Sequence, residues 1–204
     1  MPPLRRLFLK TELEPRLAEA QADQRTVLFA DAAHFVLGSF LGWVWCVKRL
    51  FVRGASGRQR YNVLGALNPL TQQLIQVCNQ GYINSHTVCE LLRKVANAGF
   101  TTPITLVLDN AAYQRCQLVR DTAAELHIEL LFLPPYSPNL NLIERLWKFV
   151  KKEALHSRHH TNYADFQAVI DTCLQELSTT HQKAIASLIT LNFQTFENVT
   201  LLPA

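Results

Sequence analysis

ITLVLDN at residues 104–110 and LPPYSPNLNLIERLWK at residues 133–148 are the two stretches around which the rest of the chain is organised. The first is an apolar run that ends abruptly in Asp109, which predicts a buried strand with a carboxylate at its end. The second begins with turn residues and continues as a helical pattern, with Glu144 in its first turn. Upstream, Asp31 directly follows another apolar run, VLFA. Three acids that each begin or end an apolar element predict a site for hard divalent cations.

The composition is that of one globular domain. Of the 204 residues, 49% are hydrophobic and 18% are charged, a balance that excludes a disordered chain. No apolar run approaches ~18 residues and the amino terminus does not have the pattern of a signal peptide, so we expect a soluble cytoplasmic protein without a membrane partner. The five cysteines are widely spaced, which disfavours a disulfide framework and a zinc ribbon. The net charge of +4 is compatible with an anionic partner.

The order of the predicted elements indicates an α/β fold. Residues 1–25 have a weak helical pattern interrupted by Pro15 and are interpreted as a lead-in or linker. After it we predict a β-meander, with β-prone runs at 27–33, 42–47, 61–67 and 74–78. From Asn84 helices and strands alternate, with helices at 84–98, 114–126, 140–155 and 163–177 and strands at 104–108 and 128–133. Strands followed by such alternation predict a mixed sheet with helices on its faces.

The acids need a physical explanation, because an unpaired carboxylate in an apolar strand costs several kcal/mol. A structural role for Asp31 or Asp109 would need a buried arginine or several amide donors from elsewhere in the chain. Ligands of open α/β sheets commonly lie at strand ends, so we favour a functional role for both. Glu144 has two structural alternatives, a capping box with Asn141 and an ion pair with Lys148.

Two groups of basic residues could hold a phosphate backbone. The helix that follows Glu144 has an apolar stripe on one face and, on another, Lys148, Lys151 and Lys152. Five basic residues without an intervening acid fall in a glycine-containing segment further upstream: Lys48, Arg49, Arg53, Arg58 and Arg60. This basic segment is either a solvated loop or a DNA-binding loop.

Carboxylates from two strands and a helix could hold two cations ~3.5–4 Å apart. Asp31, Asp109 and Glu144 would then be both the metal ligands and the catalytic residues, and oxygen ligands favour Mg²⁺ or Mn²⁺ over zinc. One ion would deprotonate a water or a DNA 3′-hydroxyl, and the other would stabilise the leaving oxygen of an in-line phosphoryl transfer.

Four stretches resemble the catalytic domain of bacterial insertion-sequence transposases of the mariner superfamily. They are FADAAHF at 29–35, GRQRYNVLGAL at 57–67, LVLDNA at 106–111 and LPPYSP through Trp147 at 133–147. The resemblance extends from about residue 8 to residue 196, and its most specific part is PPYSP leading into NLIE, with a gap of 34 residues back to Asp109. It implies a ribonuclease H-like mixed β-sheet flanked by helices and an Asp-Asp-Glu triad.

The resemblance also implies a function. The family is expected to cleave DNA at transposon ends and to transfer the freed strands to target DNA, as a homodimer on DNA in the bacterial cytoplasm at the nucleoid. In this interpretation residues 1–25 lead into a catalytic domain at 26–196, and residues 197–204 are a tail. Ala32 and Leu142 stand where relatives often carry Glu and Pro, but neither departure removes a ligand.

Full-length relatives have helix-turn-helix modules ahead of this domain, and the residues before Asp31 are too few to form one. We therefore expect either a separate or frameshift-joined module or a truncated remnant. The alternative function is a catalytically silent DNA-binding remnant that regulates transposition. A doubly wound domain with a phospho-accepting or nucleotide-binding aspartate is a third interpretation, but it leaves the lysines and the basic segment without a purpose.

Overall fold

Five strands form one mixed sheet in the part of the chain that the computed structural model describes, which is residues 3–38, 47, 59–156, 158–160 and 162–193. The strands are β1 (Thr26–Val36), β2 (Arg60–Leu67), β3 (Leu74–Asn79), β4 (Ile104–Leu108) and β5 (Ile128–Phe132). Their order is β3-β2-β1-β4-β5, with antiparallel pairing among the first three and parallel pairing among the last three. The predicted meander is confirmed for β1 to β3, whereas the β-prone run at 42–47 lies, except for Val47, outside the described residues.

Helices cover both faces of this sheet. They are α1 (Pro3–Phe8), α2 (Glu14–Gln21), α3 (Ser85–Ala96), α4 (Gln117–Glu125), α5 (Ile143–Val150), α6 (Tyr163–Gln175) and α7 (Gln182–Leu188). Two π-helical turns extend them, Leu9–Leu13 between α1 and α2 and Lys151–Leu155 after α5, and 3-10 turns lie at Ala112–Gln114, Pro138–Leu140 and Glu176–Ser178. None of the helices in the described ranges has the length and apolar character needed to cross a membrane.

Alternation along β1 sorts its side chains into two cores. Phe29 and Phe35, at odd-numbered positions, pack in the core that contains α5 and α6, whereas Leu28 and Ala30 pack in the core that contains α3 and α4. Successive side chains of a strand point to opposite faces of the sheet, so Asp31 lies on the α5 face.

The amino-terminal residues pack on the same α5 face. Leu9, Leu13 and Leu17 are buried at helical spacing and belong to the same core as α5. Pro15 does not interrupt the helix as the sequence suggested, because it falls in the first turn of α2, where its missing N–H would have no partner within that helix. Arg16 further fastens α2 to β5 by an ion pair of 2.6 Å with Glu129.

Candidate active site

Asp31 and Asp109 are neighbours across two parallel strands. Ala30 pairs with Leu108 in the ladder between β1 and β4, so the next residue on each strand is one of the two aspartates. Adjacent strands are separated by about 4.8 Å. Val107 packs in the α5-side core and Leu108 in the opposite one, so alternation places Asp109 on the α5 face as well.

Glu144 reaches the same region from the helix above the sheet. It lies in the first turn of α5, whose predicted apolar stripe is buried against the sheet. Glu144 and Asp109 line one cavity of about 500 Å³, together with the loop at residues 133–138. The charges of Glu144 and Asp109 both act on Asp31, so the three predicted acids interact electrostatically.

Neither structural alternative for Glu144 is present. The Asn141 side chain does not cap α5; its Nδ2 donates instead to the carbonyl oxygen of Ala30 at 3.2 Å. This hydrogen bond ties the start of α5 to the residue that precedes Asp31. Within the described part of the chain Glu144 forms no ion pair, with Lys148 or with any other basic side chain.

Burial and the repulsion of like charges dominate the electrostatics of the cluster. Burial raises the pKa of Asp31 to about 7, and the charges of Glu144 and Asp109 raise it as well, against the opposing effects of the Ala32 N–H and Lys151. Burial, together with the charges of Asp109 and Asp31, raises the pKa of the neighbouring Tyr113 to about 12. Among the residues that the structure describes, no basic side chain forms an ion pair with either aspartate, so the arginine partner that a structural role could have used is not observed.

The donor set fits a hard divalent cation. Asp109 Oδ1 and Asn141 Oδ1 are buried acceptors without a hydrogen-bond partner in the described residues. The whole Asn141 side chain is only 4% exposed, so solvent does not readily supply a donor. Buried acceptors are normally satisfied, and a cation satisfies oxygens that have no donor nearby. As the side chains stand, no three His, Cys, Asp or Glu residues in the described ranges are grouped closely enough to hold a metal ion.

The predicted DNA-binding residues are placed only in part. Lys148, Lys151 and Lys152 are exposed on α5 and the turn after it, on the helix that carries Glu144. Arg60 is exposed at the first position of β2. The other four members of the basic segment, Lys48, Arg49, Arg53 and Arg58, lie outside the described residues.

The structure adds two residues that the sequence did not single out. Arg115 and Tyr136 line the same cavity as Asp109 and Glu144. Tyr136 is 89% exposed and has a φ of 56°, a backbone conformation that a bulky side chain rarely adopts. The turn residues of PPYSP were a signal for such a loop, but nothing local indicated that Arg115, six residues beyond Asp109, would reach its rim.

Comparisons with known proteins show which family and which fold the chain resembles. A family model described as DDE superfamily endonuclease matches residues 26–167. The Mos1 strand transfer complex is 16% identical with a TM-score of 0.59, and the match covers 95% of this chain and 62% of that one. The Mos1 transposase paired-end complex with the left transposon end is 15% identical with a TM-score of 0.58, covering 93% and 62%. The Mos1 transposase catalytic domain with raltegravir and Mn is 14% identical with a TM-score of 0.57, covering 97% and 98%.

The sheet and the structural likeness define the class: the chain has a ribonuclease H-like fold, as the sequence predicted. Because the family model matches more than half of its residues, the chain belongs to the DDE superfamily endonuclease family. It spans 62% of the Mos1 chains in the two DNA-end complexes. No curated protein matches the sequence.

Proposed function

We propose that this chain is the catalytic domain of a DNA transposase, which cleaves phosphodiester bonds at transposon ends and transfers the freed strands to target DNA. The observation that carries the proposal is the acid cluster on the α5 face. Asp31 and Asp109 occupy adjacent strands, Glu144 acts on them from α5, and no basic side chain of the described ranges neutralises them. The strand transfer complex of Mos1 is a precedent for this chemistry on the same fold.

Asp31, Asp109 and Glu144 are the residues that would hold the metal. Bound at this site, two Mg²⁺ or Mn²⁺ ions supply activation of a water or a 3′-hydroxyl and stabilisation of the leaving oxygen. The protein contributes carboxylates and a preformed hydrogen bond from Asn141 that fixes the start of α5. Asp31 would be ionised in the metal-bound state, because a nearby positive charge favours the ionised form.

The exposed lysines give the site its orientation on DNA. Lys148, Lys151 and Lys152 follow Glu144 on one helix, so phosphates bound by them lie beside the acid cluster. Arg60 and the rest of the basic segment, at residues 48–58, would hold further phosphates. Such contacts provide affinity without reading the sequence, so a helix-turn-helix module, separate or joined by frameshifting, would supply recognition of the transposon end.

The partners and the setting follow from the same proposal. The protein would act as a homodimer, since a transposon has two ends, and it would work on DNA at the bacterial nucleoid. Its substrates are the transposon ends and the target DNA.

Nicking of supercoiled DNA by the purified chain in Mg²⁺ tests the proposed activity. We expect nicking that a chelator abolishes, with a helix-turn-helix module supplied if the chain alone is inert. Asp109→Asn keeps the shape of the side chain but removes a charge from the cluster, so cleavage should fall by orders of magnitude while DNA binding persists. The matched control is Asp121→Asn on the exposed face of α4, which should cleave normally. DNA binding without nicking under every condition would favour the silent remnant.

The melting temperature without metal separates the two roles of Asp109. Removing one of three crowded negative charges should leave the stability unchanged or raise it. An aspartate with a structural role would instead stabilise the fold through a buried partner, and its loss would lower the melting temperature. Marked destabilisation of Asp109→Asn with normal cleavage would overturn the proposal.

A further inference from the structure

One row of residues crosses the sheet beneath α5. Asp31 pairs with Gly65 on β2, and on its other side it is followed by Asp109. Leu133 continues the row, since its N–H donates to the carbonyl oxygen of Leu108 at 2.8 Å. The only member of the row without a side chain lies next to Asp31, directly under the helix that carries Glu144.

Trp147 occupies the space above Gly65. A β-carbon on residue 65 would lie 2.9 Å from Cη2 and 3.0 Å from Cζ2 of the Trp147 indole, and 3.0 Å from Cδ1 of Leu74. Distances this short are not sustained between carbon atoms, so a methyl group at this position must displace something. The end of Leu74 can rotate, but the indole is 3% exposed within a close-packed core and cannot.

Trp147 and Glu144 belong to the same rigid element. They are three residues apart on α5, so they lie on neighbouring positions of one helical surface. The indole Nε1 is buried and has no hydrogen-bond partner in the described residues. Packing against the sheet, and not a hydrogen bond, therefore sets the position of the ring. A displacement of the ring is therefore transmitted to the first turn of α5.

We propose that Gly65 and Trp147 are positioning residues that set the height of α5 above the sheet, and thereby bring the Glu144 carboxylate within reach of the metal that Asp31 and Asp109 bind. The inference rests on the proposed function, because it assumes that the three acids hold one metal centre. Neither residue contacts the reacting atoms. Gly65 acts by lacking a side chain, and Trp147 acts as the contact that rests on the glycine backbone.

Direct binding of Mn²⁺ to the full chain, measured by calorimetry without DNA, tests this role. Gly65→Ala should weaken Mn²⁺ binding by about tenfold or more, the usual effect of disturbing the support of a metal ligand. Gly81→Ala is the matched control, because a β-carbon there meets nothing within 4 Å, and it should bind Mn²⁺ as the unaltered chain does. Equal affinities of folded Gly65→Ala and Gly81→Ala would overturn the inference.

A compensating variant keeps the test decisive if Gly65→Ala folds poorly. Trp147→Phe removes the outer part of the indole that the methyl group would meet, so Gly65→Ala added to Trp147→Phe should fold and bind Mn²⁺ within about threefold of Trp147→Phe alone. A folded double variant that binds Mn²⁺ about tenfold more weakly than Trp147→Phe alone would overturn the inference. If the unaltered chain does not bind Mn²⁺, the proposed function fails and the inference fails with it.

Discussion

Asp31 is a carboxylate whose charge is poorly compensated in the described part of the chain. It is partly buried, it has no basic partner there, and the charges of Glu144 and Asp109 act on it. A carboxylate in this position opposes folding when it is ionised, because the Ala32 N–H and the charge of Lys151 compensate only part of the cost of its burial. A cation is the partner that would compensate it. Without metal, therefore, the stability of the protein should depend on the protonation of this side chain.

The pH dependence of metal-free stability checks this requirement. The pKa of Asp31 rises from 3.8 to about 7 on folding, so between these values the folded protein binds a proton that the unfolded chain does not. The free energy of unfolding must then fall as the pH rises through this window, by up to ~4 kcal/mol. Asp31→Asn lacks the titration, so in a chelator it should melt higher than the unaltered protein at about pH 8 and about equally at about pH 4. A lower melting temperature for Asp31→Asn at the higher pH would mean that the ionised side chain stabilises the fold.

Among the elements, α5 combines three roles. Its buried residues, such as Leu146 and Trp147, fasten it to the sheet, and Glu144 in its first turn faces the aspartates. The Arg145 guanidinium binds the segment at the end of α7 and after it. It donates to the carbonyl oxygens of Leu188, Thr190 and Asn192 at 3.2, 2.8 and 2.6 Å. The remaining exposed surface is basic. A helix built in this way can position a metal ligand and bind phosphates at once.

Replacing Lys148, Lys151 and Lys152 together with Ala measures the basic surface of α5. DNA affinity should fall similarly for all sequences, and the slope of log affinity against log salt should decrease by about one for each phosphate that the lysines had neutralised. Replacement of Lys10 and Lys183 with Ala is the control, because both lie on other exposed helical surfaces, and it should leave the slope unchanged.

The same salt titration with Arg53, Arg58 and Arg60 replaced together by Ala tests the basic segment. An unchanged slope for either set would identify it as a solvated surface.

At the scale of the whole molecule, the α5 face of the sheet is covered in part by the amino-terminal helices. Leu13 and Leu17 pack in the same core as Phe29 and α6, and Arg16 and Arg25 both form ion pairs with Glu129 on β5. Residues 3–21 therefore contribute to the same hydrophobic core as the strands. The division between a lead-in at 1–25 and a catalytic domain at 26–196 stays a prediction about how separately these parts fold.

Leu13→Ala measures how far the amino-terminal helices belong to the folded unit. The side chain is 0% exposed, so its truncation should lower the free energy of unfolding by ~2–5 kcal/mol in a single cooperative transition. Leu7→Ala, at a position 60% exposed, is the control and should change it by less than ~0.5 kcal/mol. Chemical denaturation followed by circular dichroism gives both values. A lead-in that folds separately from the catalytic domain would show equal and small effects.

Local patterns were sufficient to predict most elements and to single out the three acids, whose role as metal ligands stays a prediction. The apolar run before Asp109 and the helical spacing from Val88 to Val95 are patterns within a few residues of chain. Strand β4 and helix α3 could therefore be predicted from local sequence. An acid at the end of a buried strand is unusual in itself, which is why Asp31 and Asp109 were recognisable. The resemblance of PPYSP and NLIE to a transposase family then predicted the fold that the structure has.

Tertiary structure alone decided how these pieces meet. The pairing of Asp31 with Gly65 depends on strand register between segments about thirty residues apart, and the alternation within each segment determines which face a side chain takes but not which residue it pairs with. The Asn141 side chain, which local sequence allowed to form a capping box, instead donates to the carbonyl oxygen of Ala30, 111 residues away. In the sequence Trp147 is one of several apolar residues on a helix face, and only the folded sheet places Gly65 beneath its indole. Each of these contacts is between residues distant in the chain, and local sequence determines which side chains are apolar or charged but not which distant residue they face.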